Sequence, residues 1–541
     1  MKKLNLKCCL VGLIFSFIAG QQVLAQSDSS IQSTSYYQAN WESLKDYKTP
    51  EWYKDAKLGF WVHWGVYSVP AFKGDHAAEW YGRAMYCYKG QSYNEQEYKS
   101  HLHHEATYGN PNVFGYKDFI PMFKAENFNP EEWTKLCVTG GAKFFTMMAT
   151  HHDSFCMWKT KLSKWNSVDM GPHRDCVGEM EKAVRKAGLH FGVSNHSAWN
   201  YCFFEWNHIN RYDAMNPEYQ DLYGNPIVQA CADTIQVAPG ESKTHWKNRS
   251  RGAVSPSKRD VSRWLARTKE LDSLYSPDLY YFDWGFKPIE FEQGRKEFGA
   301  YFYNHAISNG QGVKGNPNVV LNYKGGAYPK GSAIRDYERG SSSKIADMTW
   351  QTDDCVYDGN NWGYAEGVPI KPTNTIVDEL VDVVSKRGVL MLSFAPKADG
   401  TFPEDQKTLI YQLGSWLKIC GNAIYCTRPY KIMGELSKDW GKPDAKNYRT
   451  YHGTSDDIRY TRSKDRKTLY AIILDWPGES ICIQTLSDIN TKNIRHIRLL
   501  GVNKNLKWKM TKQGLEITMP ERPEYKYAYP LEIKFKNSIK Y

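Results

Sequence analysis

Six short apolar runs recur along the first three quarters of the chain: Leu58–Trp64, Phe144–His151, His190–His196, Asp278–Asp283, Val319–Asn322 and Val389–Phe394. They are near-continuous rather than alternating, as strands covered on both faces should be. Amphipathic stretches separate them. Val177, Met180, Val184 and Ala187 fall at helical spacing after Asp175, and Gly188 closes that helix. Leu265, Thr268, Leu271 and Tyr275 repeat the pattern, as do Ile376, Leu380, Val383 and Val384, and then Leu409, Leu413, Trp416 and Leu417 between Pro403 and Gly421. Repeated strand–helix units predict a parallel sheet, and their number predicts an α/β fold of the (β/α)8-like TIM-barrel kind over residues 41–435. From 436 to 541 the texture changes. Short strand-like runs (Leu469–Leu474, Ile481–Thr485, Ile494–Leu500, Leu531–Phe535) follow one another without helices, predicting a C-terminal antiparallel β-sandwich.

The length of 541 residues fits this division, because single cores stop growing near 250–300 residues. The N-terminus has a different purpose. Lys2, Lys3 and Lys7 precede an apolar run from Cys8 to Ala19, and Val23-Leu24-Ala25 has the small-residue pattern of a cleavage site. That run is shorter than the ~20 residues of a membrane span. Residues 1–25 therefore read as a signal peptide and 26–40 as a polar linker. The mature chain is expected outside the cytoplasm, periplasmic or extracellular. Two of the 12 cysteines leave with the leader. The rest are scattered without a C-x-x-C pair, so mostly buried thiols are expected, with one or two disulfides. The formal net charge is +11 and loses the three leader lysines. No Lys/Arg block suggests nucleic acid. A diffuse positive field instead suits an anionic, for instance sulfated, glycan. The 19 Trp and 37 Tyr suit sugar faces as well as a core.

In a barrel of this kind chemistry sits where the strands end. The ends read His63-Trp64-Gly65, His151-His152-Asp153, Asn195-His196-Ser197, Phe282-Asp283-Trp284 and Asn322-Tyr323-Lys324. Glu79-Trp80-Tyr81 follows the first strand, and Asp336-Tyr337-Glu338-Arg339 follows the fifth. Singly, each has a bland explanation as a cap, a turn or a satisfied core histidine. Together they describe a pocket of His, carboxylate and Trp. Two chemistries fit it. One is metal-dependent hydrolysis on His63, His151, His152 and Asp283. Against it, neighbours on a strand point to opposite faces, which would separate His151 from His152. The other is glycoside hydrolysis between two carboxylates.

The residues also carry a family pattern. Trp52–Ser68 (WYKDAKLGFWVHWGVYS), Glu79-Trp80-Tyr81, Phe123–Asp153, Trp165–Ser197, Pro277–Gly285 (PDLYYFDWG) and Ser385–Pro429 resemble, in order, glycoside hydrolase family 29, the α-L-fucosidases. The resemblance covers roughly residues 40–430. It implies a retaining mechanism on a terminal α-L-fucose of a fucosylated oligosaccharide or polysaccharide, with no metal and no cofactor. Asp283 takes the nucleophile position. Glu338, in DYERG, is the acid/base candidate, with Glu290, Glu292 and Glu297 as competitors on an apparent helix. His63, Glu79, Trp80, His151 and His152 match sugar-binding positions. His196 stands near a position often filled by Tyr, Lys324 where many relatives carry Arg, and Trp362 against the sugar methyl. Four departures stand out: Thr150 for Lys, Ser154 for Gly, Tyr281 for Trp, and Arg387 with Ser393 in place of an Asn-rich motif. They leave open a related L-sugar such as α-L-galactose, or a fucose-binding protein without turnover.

Overall fold

The computed structural model describes residues 36–74, 77–91, 95–225, 255–437, 440 and 451–540. The predicted leader and residues 26–35 of the linker lie outside these. Eight parallel strands form the N-terminal sheet: β1 (Leu58–Val62), β2 (Phe144–Thr150), β3 (His190–Asn195), β4 (Leu279–Phe282), β5 (Val320–Tyr323), β6 (Ile334–Arg335), β7 (Trp350–Cys355) and β8 (Gly388–Phe394). Their order is β6-β5-β4-β3-β2-β1-β8-β7, and a parallel bridge between Asp336 and Gln351 joins the two ends into a barrel. The six apolar runs are six of these strands. The other two were not legible. β6 has two residues, and β7 reads WQTDDC, in which Gln351, Thr352, Asp353 and Asp354 are polar.

Five crossovers carry long helices on the outside, α1 (Pro130–Thr139), α2 (Cys176–Lys186), α3 (Lys258–Tyr275), α4 (Glu292–Ser308) and α5 (Thr373–Ser385), and α6 (Glu404–Cys420) follows β8. Their starts follow local chemistry. The Asp175 side chain accepts from the Gly178 N–H at the N-cap of α2, and Ser257 with Asp260 forms a capping box on α3. Gly188, at φ +74°, follows the C-cap of α2. The β5–β6 and β6–β7 connections carry no helix.

Beyond α6 lie β9 (Arg428–Glu435), β10 (Ile458–Arg462), β11 (Thr468–Ile473), β12 (Ser480–Ile483), β13 (Ile494–Leu499), β14 (Trp508–Met510), β15 (Leu515–Thr518) and β16 (Tyr529–Phe535). They form two antiparallel sheets, ordered β13-β16-β11-β10-β9 and β12-β15-β14, around a separate apolar core. The expected disulfides are absent among the described cysteines. All nine are free thiols, seven of them buried.

An ion cluster joins the sandwich to the barrel. Arg459 Nε on β10 donates to Asp382 Oδ1 on α5 at 2.9 Å, and Lys386 Nζ reaches Asp382 Oδ2 at 2.8 Å. Asp382 and Arg459 are fully buried. Burial opposes the Asp382 charge, but Arg459 and Lys386 hold its carboxyl below the ordinary range. Removing one member leaves two buried cations without their counter-ion, so Asp382→Ala should cost about 3–5 kcal/mol. Urea unfolding followed by tryptophan fluorescence reads this. A loss below about 1 kcal/mol would show that the cluster does not hold the joint.

Candidate active site

The strand ends converge as predicted. His63, Glu79, Trp80, His151, His152, His196, Asp283, Lys324, Glu338 and Trp362 all line one cavity of about 670 Å³. Glu290, Glu292 and Glu297 do not; Glu292 pairs with Lys296 on the first turn of α4.

Asp283 follows β4 directly, in a turn that needs glycine two residues on. Gly285 has φ +105°, and a Cβ there would lie 2.7 Å from Trp199 Cβ. The Asp283 side chain is 7% exposed. His196 Nδ1 lies 3.3 Å and His152 Nε2 3.4 Å from its Oδ2, and Lys324 Nζ lies 3.0 Å from its Oδ1. Burial alone would raise this carboxyl. Lys324 and His196 outweigh it and hold Asp283 well below the usual carboxylate range.

Lys324, from the end of β5, touches three acids: Asp283, Glu338 at 3.3 Å and Asp353 at 2.9 Å. Burial works against its charge, but these acids raise Lys324 well above the ordinary lysine value. Asp353 sits on β7 and also accepts from the Tyr281 hydroxyl at 2.9 Å. Its neighbour Asp354 faces the other way, to Arg339 (3.0 Å) and Lys371 (2.5 Å), as strand alternation requires. Beside Asp353, burial and the Asp353 charge push Asp336 well above the ordinary aspartate range.

Glu338 lies in the loop after β6. Tyr337 N donates to Gln351 O at 3.0 Å and Arg339 N to Asp353 O at 2.8 Å, so the backbone on either side of Glu338 is pinned to β7. Desolvation, Asp353 and Asp283 raise Glu338 above the ordinary glutamate range, against the pull of Lys324. The side chain keeps 42% of its surface exposed at the pocket mouth. The like charges therefore carry that direction more surely than desolvation does.

The histidines are positioned from behind. His63 Nδ1 meets Ser393 Oγ at 2.7 Å, His152 Nδ1 the His196 carbonyl at 2.7 Å, and His196 Nε2 Ser194 Oγ at 2.7 Å. Burial holds His63 and His151 well below the ordinary histidine value, and lowers His196 against the pull of Asp283. His151 and His152 do not point apart as strand alternation predicts. β2 ends at Thr150, and both rings enter the cavity with centroids 4.6 Å apart. Glu79 Oε2 accepts from Trp362 N (3.1 Å) and Gly363 N (2.9 Å). Its Oε1 is buried without a hydrogen-bond partner among the described residues. Burial, partly offset by those N–H groups, pushes Glu79 up to about 7. Trp80 stacks on Trp284, and Trp362 packs on His63 and Trp61.

The departures from the family pattern have local roles. Tyr281 holds Asp353, and Ser393 holds His63. Ser154 has φ +66°, a conformation that favours glycine, and its hydroxyl accepts from Arg267 at 2.8 Å. Arg387 donates to Ala346 O, away from the cavity lining. Thr150 Oγ1 donates to His151 O. Sequence reasoning missed Asp353 and gave no role to Trp61, Asp336 or Trp284, all in the lining.

Two sets of donor atoms lie close enough to hold a metal ion: His63, His151 and His196, and His152, His196 and Asp283. Lys324 argues against the second set, since a fixed ammonium 3.0 Å from Asp283 repels a dication.

The comparisons with known proteins agree with this site. A family model described as α-L-fucosidase matches residues 23–422, and one described as α-L-fucosidase C-terminal domain matches 452–534. The tissue α-L-fucosidase of Rattus norvegicus is 28% identical over 496 residues, covering 90% of this chain and 89% of its own. That of Homo sapiens is 27% identical over 507 residues, covering 92% and 91%. The crystal structure of Thermotoga maritima α-fucosidase in complex with fucose superposes with a TM-score of 0.68 at 28% identity, over 92% of this chain and all of that one. Two family models spanning barrel and sandwich, on a chain whose strand ends build a two-carboxylate pocket, show that it belongs to the α-L-fucosidase family of glycoside hydrolases.

Proposed function

We propose that the protein is an exported, retaining exo-α-L-fucosidase that releases terminal α-L-fucose from fucosylated glycans. The observation that carries this reading is Lys324 in contact with Asp283 and Glu338 at once. One shared ammonium keeps the facing oxygens of the two carboxyls close together, which favours the roughly 5–5.5 Å pairing of a retaining enzyme over a wider gap that holds a water. Asp283 is held ionised and Glu338 is biased toward its acid form, the asymmetry that two carboxyl groups need for different roles.

The steps follow. An Asp283 oxygen attacks the anomeric carbon while the bond to the leaving oxygen breaks, and the Glu338 proton passes to that oxygen. The sugar is then esterified to Asp283. Water attacks the same carbon, Glu338 takes its proton, and the ester bond breaks to free the sugar and restore the carboxylate. Glu79 Oε1, the histidines and the Trp61–Trp362 wall are placed to receive hydroxyls and the apolar edge of the sugar. The basic and apolar leader supports export. The positive balance of the chain supports an anionic form of the glycan.

An activated fucoside with fluorine in place of its C2 hydroxyl, which slows both steps, should trap the ester. Mass spectrometry of the digested protein should place one added sugar on the peptide containing Asp283. Labelling elsewhere, or release of a product of inverted anomeric configuration seen by NMR, would overturn the reading. Turnover of aryl α-L-galactoside faster than of the fucoside would redirect it to the related sugar.

A further inference from the structure

The connections on either side of β6 carry no helix. Because β5–β6 and β6–β7 lack helices, a second cavity of about 410 Å³ opens on this flank. It shares Arg335 and Tyr337 with the catalytic cavity as a common wall. Those two residues flank Asp336 and sit one turn of chain before Glu338, the group placed to protonate the leaving oxygen. Asp283 is at the floor and Glu338 at the mouth, so a leaving sugar protonated by Glu338 lies beside this wall.

We propose that the flank cavity receives the leaving-group side of the substrate, and that this glycan carries an anionic group, either a sulfate ester or a uronate carboxylate. The proposal rests on the fucosidase reading for the direction of exit. The cavity chemistry supplies the rest. Tyr323, Tyr328, Tyr337 and Trp350 give it an aromatic floor. Arg335, Lys330 and Lys344 contribute three positive charges against one negative charge on Asp347. Lys330 pairs with Asp347 at 3.4 Å, with both side chains largely exposed. Arg335 and Lys344 make no ion pair among the described residues. The Arg335 guanidinium lies over the Tyr337 ring at 4.5 Å. That contact fixes a cation at the passage between the two cavities without neutralising it. Aromatic surface under unpaired cations matches an acidic saccharide: C–H faces meet the rings and the anion meets the guanidinium and ammonium.

The test uses one fucosylated disaccharide in three forms, with a neutral, a sulfated and a uronate leaving sugar. The quantity is the ratio of kcat/KM for each charged form to that for the neutral form, measured within one protein so that general losses cancel. The wild type should favour at least one charged form by about three- to tenfold, the reach of two exposed ion pairs. The form favoured identifies the anion. The ratio should fall to about one in R335A/K344A, return in R335K/K344R, and shrink in 0.5 M NaCl. A wild-type ratio near one, or a high ratio unmoved in the alanine variant, would overturn the proposal. Should no α-L-fucoside be turned over, the fucosidase reading fails separately. Calorimetric binding of the two charged leaving sugars alone then decides: weaker binding to R335A/K344A than to wild type supports the groove, and no binding to wild type sinks it.

Discussion

Asp283→Ala should lower kcat on an aryl α-L-fucoside by about 10⁴-fold while leaving the fold intact. The size follows from what the carboxylate supplies. Without it no covalent intermediate forms, and the remaining acid catalysis and sugar binding act on a much harder single displacement. The fold should survive for an electrostatic reason. Lys324 loses one counter-ion but keeps Asp353 at 2.9 Å, itself completely buried, so no unpaired charge is stranded. Circular dichroism and thermal unfolding check the fold beside the kinetics. Added azide supplies a sharper test. In the Ala variant a small anion entering the space of the lost carboxylate attacks the face Asp283 would have attacked, giving the β-L-fucosyl azide. Activity within tenfold of wild type, or an azide product of the opposite configuration, would remove Asp283 from the nucleophile's place.

The barrel was legible where its strands are apolar and illegible where they are not. β1 to β5 and β8 read as apolar runs because helices cover their outer faces and side chains fill the interior. β7 defeats that rule. It turns Gln351 and Asp353 inward, to the Asp336 side chain and to Lys324, and Asp354 outward, to Arg339 and Lys371. A strand paired with charges on both faces has no apolar signature. Asp353, missed for that reason, is the residue that holds Lys324 from behind, and through it the two candidate acids. β10 hides for a related reason: its Arg459 is buried against Asp382, which the pattern reads as surface. The strand-end histidines and Asp283 were visible from chain texture alone. Glu79 and Trp80, on a 3-10 turn after β1, were read with the strand ends, whereas Trp362 sits in a loop where no periodicity marks it, and only the family resemblance singled it out. The same resemblance marked Ser154 and Tyr281 as departures, and the structure gives both a partner.

Glu338→Ala should divide the two half-reactions. With a poor leaving group, such as a sugar hydroxyl, kcat/KM should fall by about 10³-fold, because the departing oxygen needs a proton. With a dinitrophenyl leaving group, which departs as a stable anion, kcat/KM should change little, while kcat falls because no base activates water for the second step. Azide needs no base, so it should restore kcat and give the α-L-fucosyl azide, the opposite product to that from Asp283→Ala. The pH profile adds a second reading. Asp283 is held well below the ordinary aspartate value, so the acid limb of kcat/KM should lie below pH 4. Glu338 is raised, so its proton persists above the ordinary glutamate value and activity is lost as pH rises through that raised value. The alkaline limb should disappear in the Ala variant with the dinitrophenyl substrate. An unaltered limb would assign it to another group. Glu79, pushed up to about 7 and facing the same cavity, is the first to test. Unchanged kinetics on the poor leaving group would take the acid/base role from Glu338 altogether. Equal losses on both leaving groups would instead point to general damage at the Lys324 cluster.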